Sequence, residues 1–167
     1  MVSSADKSIL LVYGAGGHSE QMSRLLNIIN GKHHAHYVAL TEPKAKLRCE
    51  IPEVCYVCAL REKYRNYSRF TDVLRIIGSF MANIVISYKM VRKFNVRLII
   101  STGPGIAIPV ALVGRLLGRN VIHIETWCRF YTRSHTGRFM YYLANDFWLQ
   151  NNELQKLYPK ARYVGSL

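Results

Sequence analysis

Residues 10 to 26 read LLVYGAGGHSEQMSRLL. An apolar run gives way at Gly14, Ala15, Gly16, Gly17 and His18 to an amphipathic one. Ser8 to Tyr13 is short, continuous and apolar, the pattern of a strand covered on both faces. From Ser19 to Ile29, Met22, Leu25, Leu26 and Ile29 recur at three- and four-residue spacing, which puts them on one face of a helix. Asn30 and Gly31 stop it. A buried strand that ends in glycines and opens a helix belongs to a parallel α/β sheet, and the rest of the chain is consistent with one.

Outward from that start, His36 to Leu40 and Val54 to Leu60 read as strands, separated by a polar, basic stretch, Thr41 to Arg48. Arg61 to Arg69, REKYRNYSR, reads as a charged surface loop. A long helix follows from about Thr71 to Phe94. Then come a strand Arg97 to Ser101, a turn Thr102-Gly-Pro-Gly105, and an apolar helix Ile106 to Leu117 closed by Gly118. Asn120 to Ile124 is a strand, Arg129 to Arg138 a basic loop, and a short helix runs through Leu143. Phe147 to Gln150 and Arg162 to Val164 read as the last strands, with Asn152 to Tyr158 helical between them. Alternating strands and helices predict a Rossmann-like parallel sheet with helices on both faces. No linker or repeat divides the chain, so residues 1–167 read as one domain.

The 167 residues weigh 19.2 kDa and half are hydrophobic, enough for a substantial core. Lys and Arg number 23 against 10 Asp and Glu, a net charge of +13 that favours an anionic partner. Nucleic acid fits the charge but not its arrangement, because the basic residues are scattered and no helix-turn-helix, zinc finger or RNA-binding strand signature is present. The four cysteines, at 49, 55, 58 and 128, are irregularly spaced and suit a reducing compartment. Cys55 and Cys58 lie inside an apolar run with no second pair, so they read as structural thiols and no metal site is expected. The amino terminus does not read as a signal peptide. No 18 apolar residues run unbroken, so a conventional transmembrane helix is not expected.

Ligands of open parallel sheets bind beyond the carboxyl ends of the strands. Two glycine turns fall there: Gly14, Gly16 and Gly17 after the first strand, and Gly103, Pro104 and Gly105 after RLIIS. Their amides at helix starts favour anionic groups. The first turn lacks the Gly-Lys-Ser/Thr of a Walker loop and the full G-x-G-x-x-G spacing, and no acidic residue convincingly ends the second strand to hold a ribose. These features disfavour a dinucleotide and leave a diphosphate-bearing substrate or a plain structural turn. His18 at the helix start is either a base and anion partner or a helix cap. Glu125 ends the strand NVIHI, followed by Trp127 and Arg129; it is either a site carboxylate or half of a salt bridge. His33, His34 and His36 read as loop residues, His123 as a packed strand histidine, and Asp146 as a turn carboxylate.

The helix from Thr71 to Phe94 lacks the usual polar stripe. Ile76, Ile77, Phe80, Met81 and Ile84 wrap much of it, with Arg69 before it and Lys89 near its end. Apolar surface flanked by basic side chains suits an anionic membrane surface. An interior helix and a partner interface are the other readings.

Four motifs in order, GAGGHSEQM, STGPGIAIPVA, IETWCRFYTRSHTG, and NDFWLQ followed by ELQKLYPKARYVG, resemble one family. It is the acceptor-side, membrane-associated subunit family of the split UDP-N-acetylglucosamine transferase of lipid-linked oligosaccharide assembly, with its bacterial exopolysaccharide and capsule counterparts. The resemblance runs from about Ile9 to Gly165. It implies the N-terminal half of a GT-B glycosyltransferase, with a separate donor-binding subunit supplying the C-terminal half. Together they would move a sugar from a UDP-sugar to a polyprenyl-diphosphate-linked acceptor without a cofactor. By position, Gly14, Gly16, Gly17 and His18 match the family's first motif, and Gly103, Pro104 and Gly105 its second. Glu125 and Arg129 match its acidic and arginine positions, and Ser134, Thr136 and Gly137 the segment after them. His18 and Glu125 are then the expected catalytic residues. The family usually has tryptophan after Gln150, where this chain has Asn151, a departure that bears on the partner interface. Eukaryotic members usually begin with a hydrophobic anchor, and none is expected here. The expectation is therefore a peripheral protein on the cytoplasmic face of the bacterial inner membrane, held through residues 71–94, with the cytosolic face of the endoplasmic reticulum as the alternative.

Overall fold

The computed structural model describes residues 8–29, 35–48, 50–51, 53–57 and 69–167. In chain order the elements are β1 (Ser8–Tyr13), α1 (Gly17–Ile29), β2 (His36–Thr41), β3 (Glu53–Tyr56), α2 (Arg69–Lys93), β4 (Val96–Ser101), α3 (Ala107–Leu116), β5 (Asn120–Ile124), α4 (His135–Leu143), β6 (Asp146–Leu149) and β7 (Arg162–Tyr163). A 3-10 helix, Asn152–Lys156, joins the last two strands. Among the described residues seven strands form one sheet, β3-β2-β1-β4-β5-β6-β7, parallel throughout.

Period-two alternation divides the strands between two cores. Leu10, Val12, Val38, Leu40, Ile99, Val121 and Phe147 face α2, α3 and α4, and pack on Val91, Val110 and Met140. Leu11, Tyr13, Ala39, Ile100 and Ile124 face α1, through Met22, Leu25 and Leu26. Full burial of each large aliphatic side chain contributes about 1.5–3 kcal/mol. Both faces are covered, which is why the strands read as unbroken apolar runs. Gly114 belongs to this packing: a Cβ there would run into the Ile99 side chain.

From β1 the chain steps outward to β2 and β3, then returns through α2 to β4 on the other side of β1. The strand order therefore reverses between β1 and β4, whose registers pair Leu10 with Ile99 and Val12 with Ser101. Both glycine turns leave from that reversal, where ligands of open α/β sheets bind.

Several expectations shift in detail. α1 starts two residues early, at Gly17. The third strand is Glu53–Tyr56, with Val57 still bonded to Thr41 O at 2.9 Å. The segment after Leu149 makes a single 3-10 stretch rather than a longer helix. Asp146 opens β6 and is exposed. The expected helix stop at Asn30 and Gly31, the charged loop over 61–68, and Cys49, Cys58, His33 and His34 lie outside the described residues.

The long helix departs most. Val73 to Lys93 is long and apolar enough to cross a membrane by length and composition, with mean hydropathy 1.3, although the count of unbroken apolar residues did not suggest it. It is not an interior helix either. Val73, Ile77, Met81 and Val85, four residues apart, form a stripe exposed at 52–53%. The inward stripe is Asn83, Ser87 and Val91, all fully buried, and it seats the helix on α3 and β4. Ser87 Oγ donates to Asn83 O at 2.5 Å. Polar groups inside and apolar groups outside invert the usual soluble pattern.

Candidate functional site

The site is built at the carboxyl ends of β1 and β4. His18, in the first turn of α1, places Nδ1 2.5 Å from the carbonyl oxygen of Thr102. A carbonyl only accepts, so Nδ1 carries the proton and Nε2 keeps its lone pair. Thr102 answers by donating Oγ1–H to His18 O at 2.8 Å. These two bonds clamp the glycine turns together across the switch point. Gly103 is needed for the clamp. Its φ is +106°, and a Cβ would stand 2.9 Å from His18 Cε1. Burial holds the His18 imidazole below its ordinary value against the Thr102 bond and the Glu42 and Glu125 charges, which raise it. Burial thus favours the neutral ring that Thr102 orients, and His18 lies inside α1 rather than at its cap.

Gly14 fits against Pro104, whose Cβ would lie 3.0 Å from a Cβ on residue 14. From the same point His18 Cδ2 is 3.6 Å away and Glu42 Oε2 3.7 Å. Glu42 immediately follows β2, so a carboxylate does end the second strand, where the sequence reading found none convincing. The signal was an acidic residue after an apolar run ending in threonine, hidden by the basic stretch that follows. Gly16, with φ +73°, and Gly17 are exposed at the start of α1. Gly105 opens α3, its carbonyl accepting from Ile108 N at 3.2 Å.

Glu125 follows β5 and is fully buried. Among the described residues it forms no ion pair, so the salt-bridge reading does not hold. Oε1 accepts from Thr126 N at 3.0 Å and Oε2 from the Tyr158 hydroxyl at 2.8 Å. Burial, and then the Glu125 charge, keep the Tyr158 phenol above its ordinary range. The carboxylate occupies the volume a side chain on Gly137 would fill, at the start of α4. An anion there is favoured by the helix dipole. Ser134 caps that helix, its Oγ accepting from Gly137 N at 2.8 Å. Thr136 is half-buried in the same turn. Glu125, Ser134, Thr136 and Gly137 therefore form one unit behind the cleft, whose charge reaches His18.

Arg129 is exposed, donates to Thr132 Oγ1 at 3.0 Å, and does not pair with Glu125. Asn151 donates Nδ2–H to the carbonyls of Trp127 and Arg129, at 2.8 and 2.5 Å, and so holds this loop. Trp127 lies beside Gly17 and under the Arg24 guanidinium, 4.7 Å from its ring centre. Arg24 also donates to Leu167 O, and Leu167 N to Gln150 Oε1, both at 3.1 Å. Gln150 Nε2 donates to Glu125 O at 2.9 Å. Among the described residues no three His, Cys, Asp or Glu side chains are placed to hold a metal. Cys55 and Cys128 are free thiols. On α2, Ile76, Ile77 and Met81 are exposed, Phe80 and Ile84 half-buried, and Lys89 exposed; Arg69 is the first residue of the helix.

Solved structures share this architecture. MurG from Acinetobacter baumannii superposes with a TM-score of 0.60 at 13% identity, over 86% of this chain and 41% of that one. The UDP-GlcNAc 2-epimerase from Neisseria meningitidis gives 0.63 at 14% identity, over 95% and 47%. The chain thus spans less than half the length of either, and its fold is that of the Rossmann-like N-terminal half of a GT-B protein. The family described as oligosaccharide biosynthesis protein Alg14 like matches residues 9–167, and the chain belongs to it. Relatives named UDP-N-acetylglucosamine transferase subunit ALG14 include those of Rattus norvegicus, 22% identical over 95% of this chain and 82% of the relative. That of Schizosaccharomyces pombe is 27% identical over the same shares.

Proposed function

We propose that the chain is the acceptor-binding subunit of a two-chain inverting glycosyltransferase. It would work with a donor-binding glycosyltransferase subunit, the C-terminal GT-B half. The reaction moves N-acetylglucosamine or another hexose from a UDP-sugar to a polyprenyl-diphosphate-linked saccharide. The family, the ALG14 relatives' printed name and a fold matching under half of a GT-B chain support this reading. The observation that carries it is His18, neutral, with Nδ1–H spent on Thr102 O and Nε2 left basic beside the glycine cleft.

In the reaction the acceptor hydroxyl gives its proton to His18 Nε2 as its oxygen bonds to the anomeric carbon of the donor. The bond from that carbon to the UDP oxygen breaks, and UDP leaves with the electron pair. Such general-base help contributes about 10²–10⁴-fold. The exposed amides at Gly16 and Gly17, Arg129 and, in the Gly103-Pro104-Gly105 turn, the Gly105 amide take diphosphate oxygens, since Gly103 N–H donates to Ser101 Oγ. Glu125, held by Tyr158 and Thr126, acts through position and charge on His18 rather than by touching the acceptor. Ser134, Thr136 and Gly137 hold it in place. The α2 stripe, with Arg75, Lys89, Arg92 and Lys93 on the same helix, meets an anionic membrane surface. The chain then works as a peripheral protein on a cytosolic membrane face, that of a bacterial inner membrane or of the endoplasmic reticulum.

The test is transfer of label from UDP-sugars to lipid-diphosphate acceptors, with each subunit alone and with both. Label entering lipid only with both supports the reading; transfer by this chain alone overturns it. His18→Ala lowers kcat at least 100-fold while the subunits still co-purify. An unchanged kcat overturns the role of His18.

A further inference from the structure

The acid after β2 has no structural task among the described residues. Glu42 is half-buried, and no described side chain bonds to its carboxylate or forms an ion pair with it. Its backbone oxygen accepts from Ala45 N at 2.9 Å, which closes the turn and fixes where the side chain leaves the backbone. Its carboxylate is therefore open to a donor that a ligand brings. Its charge acts on His18, whose imidazole feels Glu42 more than Glu125. His18 Cδ2 and Glu42 Oε2 stand 3.6 and 3.7 Å from the point a Cβ on residue 14 would occupy, so they are at most about 7 Å apart.

Two acceptors this close together select a ligand that brings donors. The neutral imidazole offers the lone pair of Nε2, and the carboxylate offers up to four lone-pair sites. A diphosphate brings negative charge and no donors, and Glu42 repels it. A sugar brings several hydroxyls at spacings that suit two acceptors. We infer that the corner formed by Gly14, His18 and Glu42 is the subsite for the acceptor's terminal sugar, with Glu42 accepting from a hydroxyl other than the one that reacts. This rests on the glycosyltransferase reading above and divides the first glycine turn. Diphosphate keeps to the exposed amides at Gly16 and Gly17, away from Glu42, and the sugar ring lies between His18 and Glu42. Glu42 is then a specificity-determining residue. It orients the ring so that one hydroxyl meets His18, and it discriminates against acceptors that lack the partner hydroxyl.

The experiment uses the two-subunit complex with a lipid-diphosphate acceptor. Steady-state constants are measured for wild type, Glu42→Ala and Glu42→Gln, and thermal melts check that each variant is folded. Glu42→Ala should raise the acceptor KM about tenfold or more, the size of one charge-assisted hydrogen bond, and leave the donor KM within about twofold. Glu42→Gln, whose amide oxygen still accepts, should recover part of the loss. A series of acceptors, each lacking one hydroxyl of the terminal sugar, supplies the second readout. One member should lose affinity with wild type and lose no more with Glu42→Ala, which pairs that hydroxyl with this residue. An acceptor KM unchanged in Glu42→Ala, or a rise confined to the donor KM, overturns the inference and leaves the glycosyltransferase reading standing. A wild-type complex that transfers no sugar overturns both.

Discussion

His123 supplies the most quantitative prediction. It lies in β5 and is fully buried, with neither ring nitrogen bonded and its ring 5.1 Å from that of Phe147. Burial, then the neighbouring His18, lower its pKa from 6.5 to about 3. The unfolded chain therefore binds a proton near pH 6.5 that the folded chain refuses until about pH 3. Stability from this group is fully present above pH 6.5 and is lost as pH falls, at about 1.4 kcal/mol per unit. Between pH 7.5 and 5.5 the loss from His123 alone comes to ~1.4 kcal/mol, or about 3–6 °C in Tm for a chain of this size. His18, lowered mainly by burial and restrained by Glu42 and Glu125, adds a loss of the same sign. Replacing His123 with Phe removes the first part and keeps the second. Denaturant melts of wild type and His123→Phe at pH 7.5 and 5.5 separate them, because the variant should lose about 1.4 kcal/mol less over that interval. The absolute stability of the variant is irrelevant; its pH slope decides. An unchanged slope would refute the neutral, unpartnered state of His123.

The clamp and the helix stripe are tested as directly. Gly103→Ala places a Cβ against His18 Cε1 at a φ of +106°. It should cost about 1–3 kcal/mol of stability, read by thermal melts, and lower kcat of the complex by about tenfold or more through the displaced imidazole. Ile77→Glu puts a charge into the exposed stripe of α2, where Ile77 is 53% exposed and has little packing to lose. It should leave Tm within about 2 °C and weaken binding to vesicles containing anionic lipid by about tenfold in sedimentation assays; unchanged binding would remove α2 from the membrane surface.

The fold was legible because strands covered on both faces have a simple signature. SILLVY, VRLIIS and NVIHI are short and mostly apolar, and the first two run into glycine turns. The switch point was legible from the two glycine turns, although the imidazole that Gly103 admits was not. The task of Glu125 was not legible, since its partners Tyr158 and Gly137 lie 33 and 12 residues on. No local spacing predicts a hydroxyl delivered from the far end of the sheet. The inverted polarity of α2 was half legible. Composition showed an apolar excess, but only packing shows Asn83 and Ser87 inside with Val73, Ile77, Met81 and Val85 outside. Glu42 was missed because a carboxylate in a basic stretch reads as surface charge until a neighbouring glycine turn is seen beside it.

These polar groups share one address. Thr41 ends β2, Ser101 and Thr102 end β4, Glu125 follows β5 and Gln150 follows β6, and all five are essentially buried. Thr41 donates to Tyr13 O at 2.7 Å, Thr102 to His18 O, and Gln150 to Glu125 O, so each ties one strand end to a neighbour. A core built for stability alone would close those ends with apolar residues, because a buried hydrogen bond contributes only about 1 kcal/mol net and an unmatched partner costs more. Such a network instead fixes positions. It holds the His18 imidazole at a defined angle between two turns without occupying Nε2, and keeps the Glu125 side chain out of reach of solvent. Buried polar groups tied to one another are therefore gathered at the end of the sheet where ligands of this architecture bind, which is a physical reason to look for the chemistry there.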